Sequence, residues 1–184
     1  AKILGVRVII FGASGSGTTT LAQSLSRELK WAHLDADEYY WAKTDPPFQT
    51  KLPLQQRNEN LKSDFLKDKK VIVSGSLATW GEYWNQAFDL GVFLWLPQKI
   101  RMERLRKREQ NRYGDKLQTD TSIRASSEAF LAWAEKYDEA NFEGRSIIQH
   151  RDWKGRLTCK VIDIEGDMTN KQRMMMVRKH LQSN

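Results

Sequence analysis

Residues 12 to 19 read Gly12-Ala13-Ser14-Gly15-Ser16-Gly17-Thr18-Thr19 and separate two regular patterns. Residues 5–11 before them are mostly apolar and β-branched, as in a buried strand. Leu21, Leu25 and Leu29 after them recur at every fourth residue, as in an amphipathic helix. Glycines in such a turn allow successive backbone N–H groups to surround an anion, and the helix N-terminus adds a partial positive charge. The sequence therefore predicts a loop that holds a chain of phosphates.

The spacing of this loop matches the P-loop (Walker A) pattern G-x-x-x-x-G-K-[ST] except at the lysine, where Thr18 stands. Thr19 takes the position whose hydroxyl binds Mg²⁺ in that pattern. Because Thr18 carries no charge, either the basic segment 99–112 supplies it to the phosphates or catalysis is weak. A glycine-rich turn without a ligand is the alternative. The residues predicted to bind the phosphate chain are Gly12, Ser14, Gly15, Ser16, Gly17, Thr18, Thr19 and Thr20.

Short apolar runs alternate with helical patterns along the rest of the chain. Further strands are predicted near 31–34, 71–73, 90–96 and 161–164, and further helices near 54–65, 100–110, 130–137 and 174–181. This alternation predicts an α/β fold, a three-layer α/β/α sandwich around a five-stranded parallel sheet. No linker is evident, so residues 1–184 are expected to form a single domain.

The composition excludes several classes of protein. A chain of 184 residues with 40% hydrophobic and 29% charged residues is neither collagen-like nor of low complexity. The single cysteine, Cys159, excludes an internal disulfide framework and a multi-cysteine zinc cluster. No apolar run approaches the roughly 18 residues of a membrane span. We therefore expect a cytoplasmic protein that does not enter a membrane.

The chain carries 30 Lys and Arg against 23 Asp and Glu, a net charge of +7. Seven basic residues and only two acidic ones lie in segment 99–112, which therefore holds most of the excess. Such a cluster attracts phosphate, whether on a small molecule or on nucleic acid. Arg104 and Arg108, four residues apart, share one helix face and can converge on one anion, although a solvated basic face is the alternative. Arg112 extends this cluster, and Arg124 and Arg145 are weaker candidates.

Two carboxylates follow the second predicted strand in Leu34-Asp35-Ala36-Asp37. A carboxylate at the carboxyl end of a strand can accept a proton from an attacking hydroxyl or hold Mg²⁺. Asp35 is the first choice for this role and Asp37 the second, the alternative being that one of them only caps the next helix. The third strand ends in Ser74-Gly75-Ser76, without the acid that many P-loop proteins have there.

Four segments together resemble the adenylate-kinase-like P-loop NTPases over nearly the whole chain. These segments are GASGSGTTTLA, HLDADEYYW, TDPPF and VFLWLPQKIRMERLRKREQNRYG. Within that family they look closest to small bacterial predicted ATPases or kinases of undetermined substrate, in which threonine at the lysine position is usual. Relatives of that group include the nucleoside-monophosphate, shikimate, gluconate, uridine and dephospho-coenzyme A kinases.

The resemblance implies binding of ATP and Mg²⁺ and transfer of the γ-phosphoryl group to a small acceptor. It implies an acceptor-side insert at about 38–68 and a polar, mobile lid at about 111–121. It puts Arg104 near the adenine and Arg108 near the phosphates. The catalytic residues it implies are Asp35, Asp37, Arg108 and Arg112, and the metal-binding residues are Thr19 and Asp35. A turn at Gly166-Asp167 is a weaker candidate for contact with the base.

Two other functions stay open at this stage. Thr18 and the missing acid after the third strand are compatible with a slow ATPase or nucleotide-dependent switch without an acceptor. The net charge is compatible with a nucleic-acid binder or end-modifying kinase, which the confinement of the charge to one segment disfavours. The aromatic residues near the acceptor side either stack on the acceptor or fill the core: Tyr39, Tyr40, Trp41, Phe48, Trp80, Tyr83 and Trp84. The triplet His150-Arg151-Asp152 imitates a kinase catalytic loop but lacks the following asparagine, and His33 and Cys159 are expected to be packed.

Overall fold

The computed structural model describes residues 6–45 and 47–182, so Gly5 of the first predicted strand and Pro46 of the TDPPF segment lie outside it. Five strands are present: β1 Val6–Gly12, β2 Ala32–Asp35, β3 Lys70–Ser74, β4 Leu90–Trp95 and β5 Lys160–Glu165. The first four helices are α1 Thr18–Leu29, α2 Ala36–Tyr40, α3 Leu54–Phe65 and α4 Gln98–Tyr113. The other four are α5 Lys116–Thr119, α6 Thr121–Glu135, α7 Ile147–Arg156 and α8 Asn170–Gln182.

The strands form one parallel sheet in the order β2-β3-β1-β4-β5. Side chains of the central strand β1 alternate between two cores, as the pleat of a strand requires. Val8 and Ile10 pack in one core with residues of α1 and α8. Ile9 and Phe11 pack in the other core with residues of α3 and α7. The predicted three-layer α/β/α sandwich with five parallel strands is therefore confirmed.

Helices α2 and α7 were not predicted from the sequence. Helix α7 begins after Ser146, whose Oγ accepts the N–H of Gln149 at 3.1 Å, and it buries His150 and Trp153. A histidine on the buried face hides the apolar periodicity that reveals an amphipathic helix. The helix predicted near 54–65 is α3, in which Leu61 and Phe65 are fully buried while Leu54, its first residue, is 42% exposed.

The segment predicted as a lid, residues 111–121, is largely helical. It contains the end of α4, all of α5 and the first residue of α6. Asp120 caps α6 by accepting the N–H groups of Ser122 and Ile123 at 3.0 and 3.2 Å. Closure of this segment over a ligand stays a prediction. Within residues 6–45 and 47–182, no helix combines the length and apolar character needed to cross a bilayer.

The sheet topology brings three chemistry-bearing positions to one edge. Asp35 is the last residue of β2 and pairs in register with Ser74, the last residue of β3. Ser74 in turn pairs with Ile10 of β1, which ends at Gly12. Since all strands are parallel, the glycine loop, the first carboxylate and the hydroxyls after β3 meet at the carboxyl ends of neighbouring strands.

Candidate functional site

The glycine loop has a backbone that only glycine accommodates at two positions. Gly15 and Gly17 have φ angles of 83° and 94°, in the left-handed region. A Cβ at Gly15 would lie 2.9 Å from the carbonyl oxygen of Arg101, and one at Gly17 would lie 2.7 Å from Nη1 of Arg173. Neither position therefore tolerates a side chain, and the loop lies tightly against α4 and α8.

The interior of this loop offers unused hydrogen-bonding groups. Ser16 is 1% exposed, and its Oγ has no hydrogen-bond partner among the residues that the structure describes. Helix α1 starts after Gly17 with no side-chain cap and no acidic residue in its first turn. Its first N–H groups therefore remain free to bind an anion. A buried hydroxyl without a partner and an uncapped helix N-terminus fit a phosphate chain.

Thr19 and Asp35 come together at the mouth of this loop. Thr19 Oγ1 donates to Oδ2 of Asp35 at 3.2 Å, and Oδ1 of Asp35 accepts the N–H of Asp37 at 3.0 Å. Asp35 therefore caps α2 and also contacts the first turn of α1. Burial, and to a smaller extent the charge of Asp37, raise the pKa of Asp35 to about 6 against the two hydrogen bonds, which lower it.

These two side chains fit a magnesium ion. A hydroxyl and a carboxylate oxygen are the ligands that Mg²⁺ takes from a protein when phosphates supply others. Burial and the charges of Asp37 and Glu38 raise the pKa of Asp35, and Arg108 lies within electrostatic range of both aspartates. Among the described residues no larger group of His, Cys, Asp and Glu is suited to a metal.

Two guanidinium groups lie beside Gly17, although sequence reasoning found only one of them. Arg104 pairs with Asp167 at 3.1 Å and is 42% exposed at its side chain. Arg173 of α8 is 3% exposed, and its Nη1 donates to the carbonyl oxygen of Ser16 at 2.8 Å. Burial lowers the pKa of Arg173, and the charge of Arg104 lowers it further. Two like charges beside one loop, with a single carboxylate near them, favour an anion there.

A signal for Arg173 did exist in the sequence. It precedes Val177 by four residues and therefore shares the face that α8 turns to the core. A charged residue on such a face must have a partner. Its Nε is nevertheless buried without one in the described part of the chain. The turn at Gly166 and Asp167 lies beside Arg173, because the carbonyl oxygen of Gly166 accepts a hydrogen bond from Nη2 of Arg173 at 3.5 Å.

The arginines of α4 divide into two groups. Arg108 and Arg112 border the cleft, where the cleft walls lower the pKa of Arg108 by partial desolvation although its side chain reaches solvent. Arg112 lies 4.3 Å from the ring centre of Phe48 and 3.7 Å from Oε1 of Glu109. Arg101, counted in the basic segment, is fully buried and donates to the carbonyl of Leu96, so it does not attract a ligand.

The two weaker arginine candidates have different roles. Arg124 donates to the carbonyl oxygens of residues 117 and 118 at 2.8 and 2.7 Å, which ties α6 to α5 and excludes it from the cleft. Arg145 borders the cleft. It donates to Ser14 Oγ at 3.4 Å and lies 3.8 Å from Oδ1 of Asp37. The glycine loop and the second carboxylate are thus joined by one guanidinium.

The cleft has a volume of about 1550 Å³ and is lined by every residue of the glycine loop except Ser16, by both carboxylates and by several aromatic rings. Tyr40, Trp41 and Phe48 line it on the α2 side, where the rings contact each other edge to face. Trp84 is instead fully buried and donates Nε1 to Asn58 at 2.7 Å, so it fills the core. Trp84 therefore fills the core, and stacking of the cleft-lining rings on an acceptor stays a prediction.

The hydroxyls after β3 have histidine partners. Ser74 Oγ lies 2.8 Å from Nε2 of His33, whose pKa burial lowers. Ser76 Oγ lies 2.9 Å from Nε2 of His150. His150 belongs to helix α7, which agrees with the rejection of a kinase catalytic loop there. Cys159 is half-buried, and burial raises the pKa of its thiol, as expected for a packed side chain.

Comparisons with known proteins agree with this geometry. A family model described as an AAA domain matches residues 8–129. The uncharacterized protein YqaC of Bacillus subtilis (strain 168) is 43% identical over 175 residues, which cover 95% of this chain and 97% of that protein. A cytidylate kinase of Haloarcula marismortui is 28% identical over 153 residues, 76% of each chain.

Solved structures show the same architecture. The shikimate kinase from Acinetobacter baumannii, in complex with shikimate, matches with a TM-score of 0.61 and 17% identity over 100% of this chain and 96% of that one. The shikimate kinase from Bacteroides thetaiotaomicron matches with a TM-score of 0.56 and 17% identity over 96% and 98% of the two chains. At such low identity these similarities establish the fold alone.

Proposed function

The chain belongs to the AAA domain family and has a P-loop kinase-like fold, and from this premise we propose that it transfers the γ-phosphoryl group of Mg-ATP to a small-molecule acceptor. The observation that carries the proposal is the contact between Thr19 and Asp35 at the mouth of the glycine loop. It puts a metal-binding hydroxyl and a proton-accepting carboxylate beside a site for phosphate. The kinases among the relatives support phosphoryl transfer as the reaction class.

The glycine loop and the arginines bind and orient the nucleotide. Free backbone N–H groups of the glycine loop and of the first turn of α1 hold the phosphate chain, but the N–H of Ser16 is not among them, because it donates to the carbonyl oxygen of Ala13 at 3.1 Å. Arg173 donates to the Ser16 carbonyl oxygen at 2.8 Å, which fixes the backbone of the loop. Arg104 and Arg173 bring positive charge to the loop where Thr18 brings none. This pair supplies part of the charge that the lysine contributes in other P-loops.

Asp35 carries the proton transfer. Its carboxylate accepts the acceptor's hydroxyl proton as that oxygen bonds to the γ-phosphorus and the bond to the β–γ bridging oxygen breaks, releasing ADP. Without Mg²⁺, a pKa of about 6 leaves Asp35 mostly ionised at neutral pH. Thr19 and Asp35 would hold Mg²⁺, which would neutralise the charge that develops on the transferring phosphoryl group and would lower the pKa of Asp35. Arg108 and Arg112, which border the same cleft, stabilise that charge from the α4 side.

The other proposed functions have different support. An ATPase or switch without an acceptor is favoured by Thr18 and by the absence of an acid in Ser74-Gly75-Ser76. Nucleic-acid binding is disfavoured because Arg108 and Arg112 border an internal cleft and Arg101 is buried. The cleft suits a small molecule better than a duplex.

The decisive experiment is a transfer screen with γ-labelled ATP and Mg²⁺ against nucleosides, nucleoside monophosphates and sugar acids. We expect label to move to one acceptor class, with one ADP formed for each phosphorylated product. ADP formation that no acceptor accelerates would instead identify an ATPase. Absence of ATP binding at millimolar concentration in calorimetry would refute both.

The register of the loop has its own test. Thr19→Ala is expected to weaken Mg-ATP binding by at least tenfold, because it removes the hydroxyl that binds the metal. Thr20→Ala, at the next residue of α1 and exposed to solvent, should weaken it far less. Calorimetry in the presence of Mg²⁺ measures both, and equal losses would contradict the assignment of Thr19.

A further inference from the structure

Three polar side chains form a line from the interior of the protein to the cleft. Tyr137 Oη lies 2.9 Å from Nδ1 of His150, and Nε2 of His150 lies 2.9 Å from Oγ of Ser76. Tyr137 is 2% exposed, His150 is fully buried and Ser76 is 8% exposed. Only Ser76 of the three borders the cleft. The proposed mechanism uses none of them.

The buried end of this line fixes the direction of its protons. Among the described residues, the Tyr137 hydroxyl has His150 as its single hydrogen-bond partner. A buried hydroxyl that does not donate its proton loses about 1–3 kcal/mol, so Tyr137 donates to Nδ1. A neutral imidazole whose Nδ1 accepts carries its proton on Nε2. His150 Nε2 therefore donates to Ser76 Oγ.

The hydroxyl proton of Ser76 is therefore available for a hydrogen bond to a ligand in the cleft. Its oxygen accepts from His150, and it has no second partner among the residues that the structure describes. Burial, with a smaller effect from the charge of Arg145, lowers the pKa of His150 to about 3. The imidazole is therefore neutral at ordinary pH, and Nε2 of His150 remains the donor to Ser76. Ser76 is thus a preset hydrogen-bond donor at the wall of the cleft.

Ser76 lies on the side of the cleft where Asp35 is found. A Cβ at the preceding residue, Gly75, would lie 3.0 Å from Cβ of Ala36, the residue directly after Asp35. Arg145, which shortly precedes the helix of His150, contacts Ser14 and Asp37 on the same side. A group bound by Ser76 therefore belongs to the molecule that Asp35 deprotonates, and not to the base of the nucleotide.

We propose that Ser76 is a specificity residue that donates a hydrogen bond to an anionic oxygen, carboxylate or phosphate, of the phosphoryl acceptor. This inference rests on the proposed kinase function. Arg145, 22% exposed at its side chain, supplies the complementary positive charge. If the acceptor presents an ammonium group, or another group that only donates hydrogen bonds, next to Ser76, neither the Ser76 hydroxyl proton nor the Arg145 guanidinium has a hydrogen-bond acceptor on it. The acceptor is therefore expected to be an acid or a phosphate ester.

The direction of the protons is measured directly by nitrogen NMR of the free protein. With ¹⁵N-labelled histidine, we expect His150 as the neutral tautomer with its proton on Nε2. Tyr137→Phe keeps the ring and removes the donor to Nδ1, so the proton is expected to redistribute toward Nδ1. A wild-type protein with the proton on Nδ1 would overturn the inference, because the Ser76 proton would then go to His150.

The binding test uses cytidine monophosphate, shikimate, gluconate and inorganic phosphate as probes, with the full chain at neutral pH. We expect at least one probe to bind the wild type, and Ser76→Ala to weaken it about tenfold, the loss typical of a hydrogen bond to a charged group. ATP affinity should change less than twofold. Ser76→Thr, which retains the hydroxyl, should preserve most of the probe's affinity.

Ser74→Ala is the matched control, because Ser74 is also a buried serine bonded to a histidine but does not border the cleft. It should leave probe affinity within twofold. Equal losses in Ser74→Ala and Ser76→Ala, or no probe bound by the wild type at 10 mM, would overturn the inference. Failure of the wild type to bind ATP would instead refute the proposed function, so the two failures are distinguishable.

Discussion

Asp35 stabilises the fold as the cap of α2, but its buried negative charge, which the proposed chemistry needs, destabilises the folded protein. One carboxylate oxygen caps α2 through the N–H of Asp37, and the other accepts the hydroxyl of Thr19. The same carboxylate has a pKa of about 6, because burial penalises its charge more than these bonds favour it. A residue that destabilises the protein when ionised is more easily explained by a function than by the helix cap alone.

Asp35→Asn is expected to abolish phosphoryl transfer while ATP still binds, and to stabilise the protein above pH 6. The raised pKa means that the folded state binds the proton more tightly than the unfolded chain. The contribution of Asp35 to the stability of the wild type therefore falls as the pH rises from about 4 to about 6. Asparagine also caps a helix but carries no charge. We therefore expect the free energy of unfolding of the variant to exceed that of the wild type by about 2 kcal/mol at pH 8.

Urea unfolding at pH 8 and pH 4, with EDTA present, measures this effect. At pH 4 the two proteins should be nearly equal in stability, since Asp35 is then protonated. A variant less stable than wild type by the same amount at both pH values would assign Asp35 to the fold alone.

Arg173→Ala is expected to weaken ATP binding at least tenfold, because it frees the Ser16 carbonyl and removes a charge beside Gly17. Arg173→Lys should recover the charge but only part of the affinity, since lysine lacks the planar fork. Arg178→Ala is the control on the same helix, where an exposed arginine pairs with Glu28. Calorimetry with Mg-ATP separates the three, and equal affinities would remove Arg173 from the site.

Helix α7 was not predicted from the sequence because its buried face contains a polar residue. Its buried face includes His150, which contacts the rings of Phe11 and Phe93 and bonds Ser76 and Tyr137. A polar residue on a core face is stable only with partners from distant parts of the chain, so local periodicity did not predict the helix. By contrast, α1 was predictable because Leu21 and Leu25 follow a glycine loop.

This buried helix face predicts the acid sensitivity of the protein. The pKa of His150 is about 3 in the folded state, below its ordinary value of 6.5, so the unfolded chain binds the proton more tightly. The contribution of His150 to stability should therefore fall as the pH drops from about 6.5 toward 3. His150→Gln should have a shallower loss between pH 6.5 and 4.5, measured by urea unfolding. His180→Gln, at the end of α8, should keep the wild-type slope.

The candidate site is formed by residues from elements that are far apart in the sequence. The five parallel strands and the glycine loop were predictable, because strand–loop–helix patterns are local, whereas the order of the strands in the sheet was not predicted. The carboxylate after β2 was predictable because parallel strands end at one edge. The partners of Arg173 and the contact of Ser76 with His150 depend on packing between α8, α7 and the sheet, although the place of Arg173 on the core face of α8 was a local signal that it needed a partner. Arg101 was counted in the basic segment without an assigned role, and only the fold shows that it is buried.

At this scale, ligand binding is expected to stabilise the chain as one unit. Both cores share β1, so heating should give one cooperative transition that Mg-ATP moves to higher temperature. Saturation at one hundred times the Kd corresponds to about 2.7 kcal/mol. Differential scanning calorimetry measures the shift, which EDTA should reduce in the wild type and leave unchanged in Thr19→Ala. Two separate transitions would contradict a single domain.

The hydrogen bond from Arg173 to the Ser16 carbonyl also bears on how the protein is made. A ribosome translating this chain completes the glycine loop early and reaches α8 only after all five strands. The nascent loop therefore lacks its guanidinium partner through most of synthesis. Because the loss of Arg173 is expected to weaken ATP binding at least tenfold, nucleotide capture should be correspondingly weak until α8 has been translated.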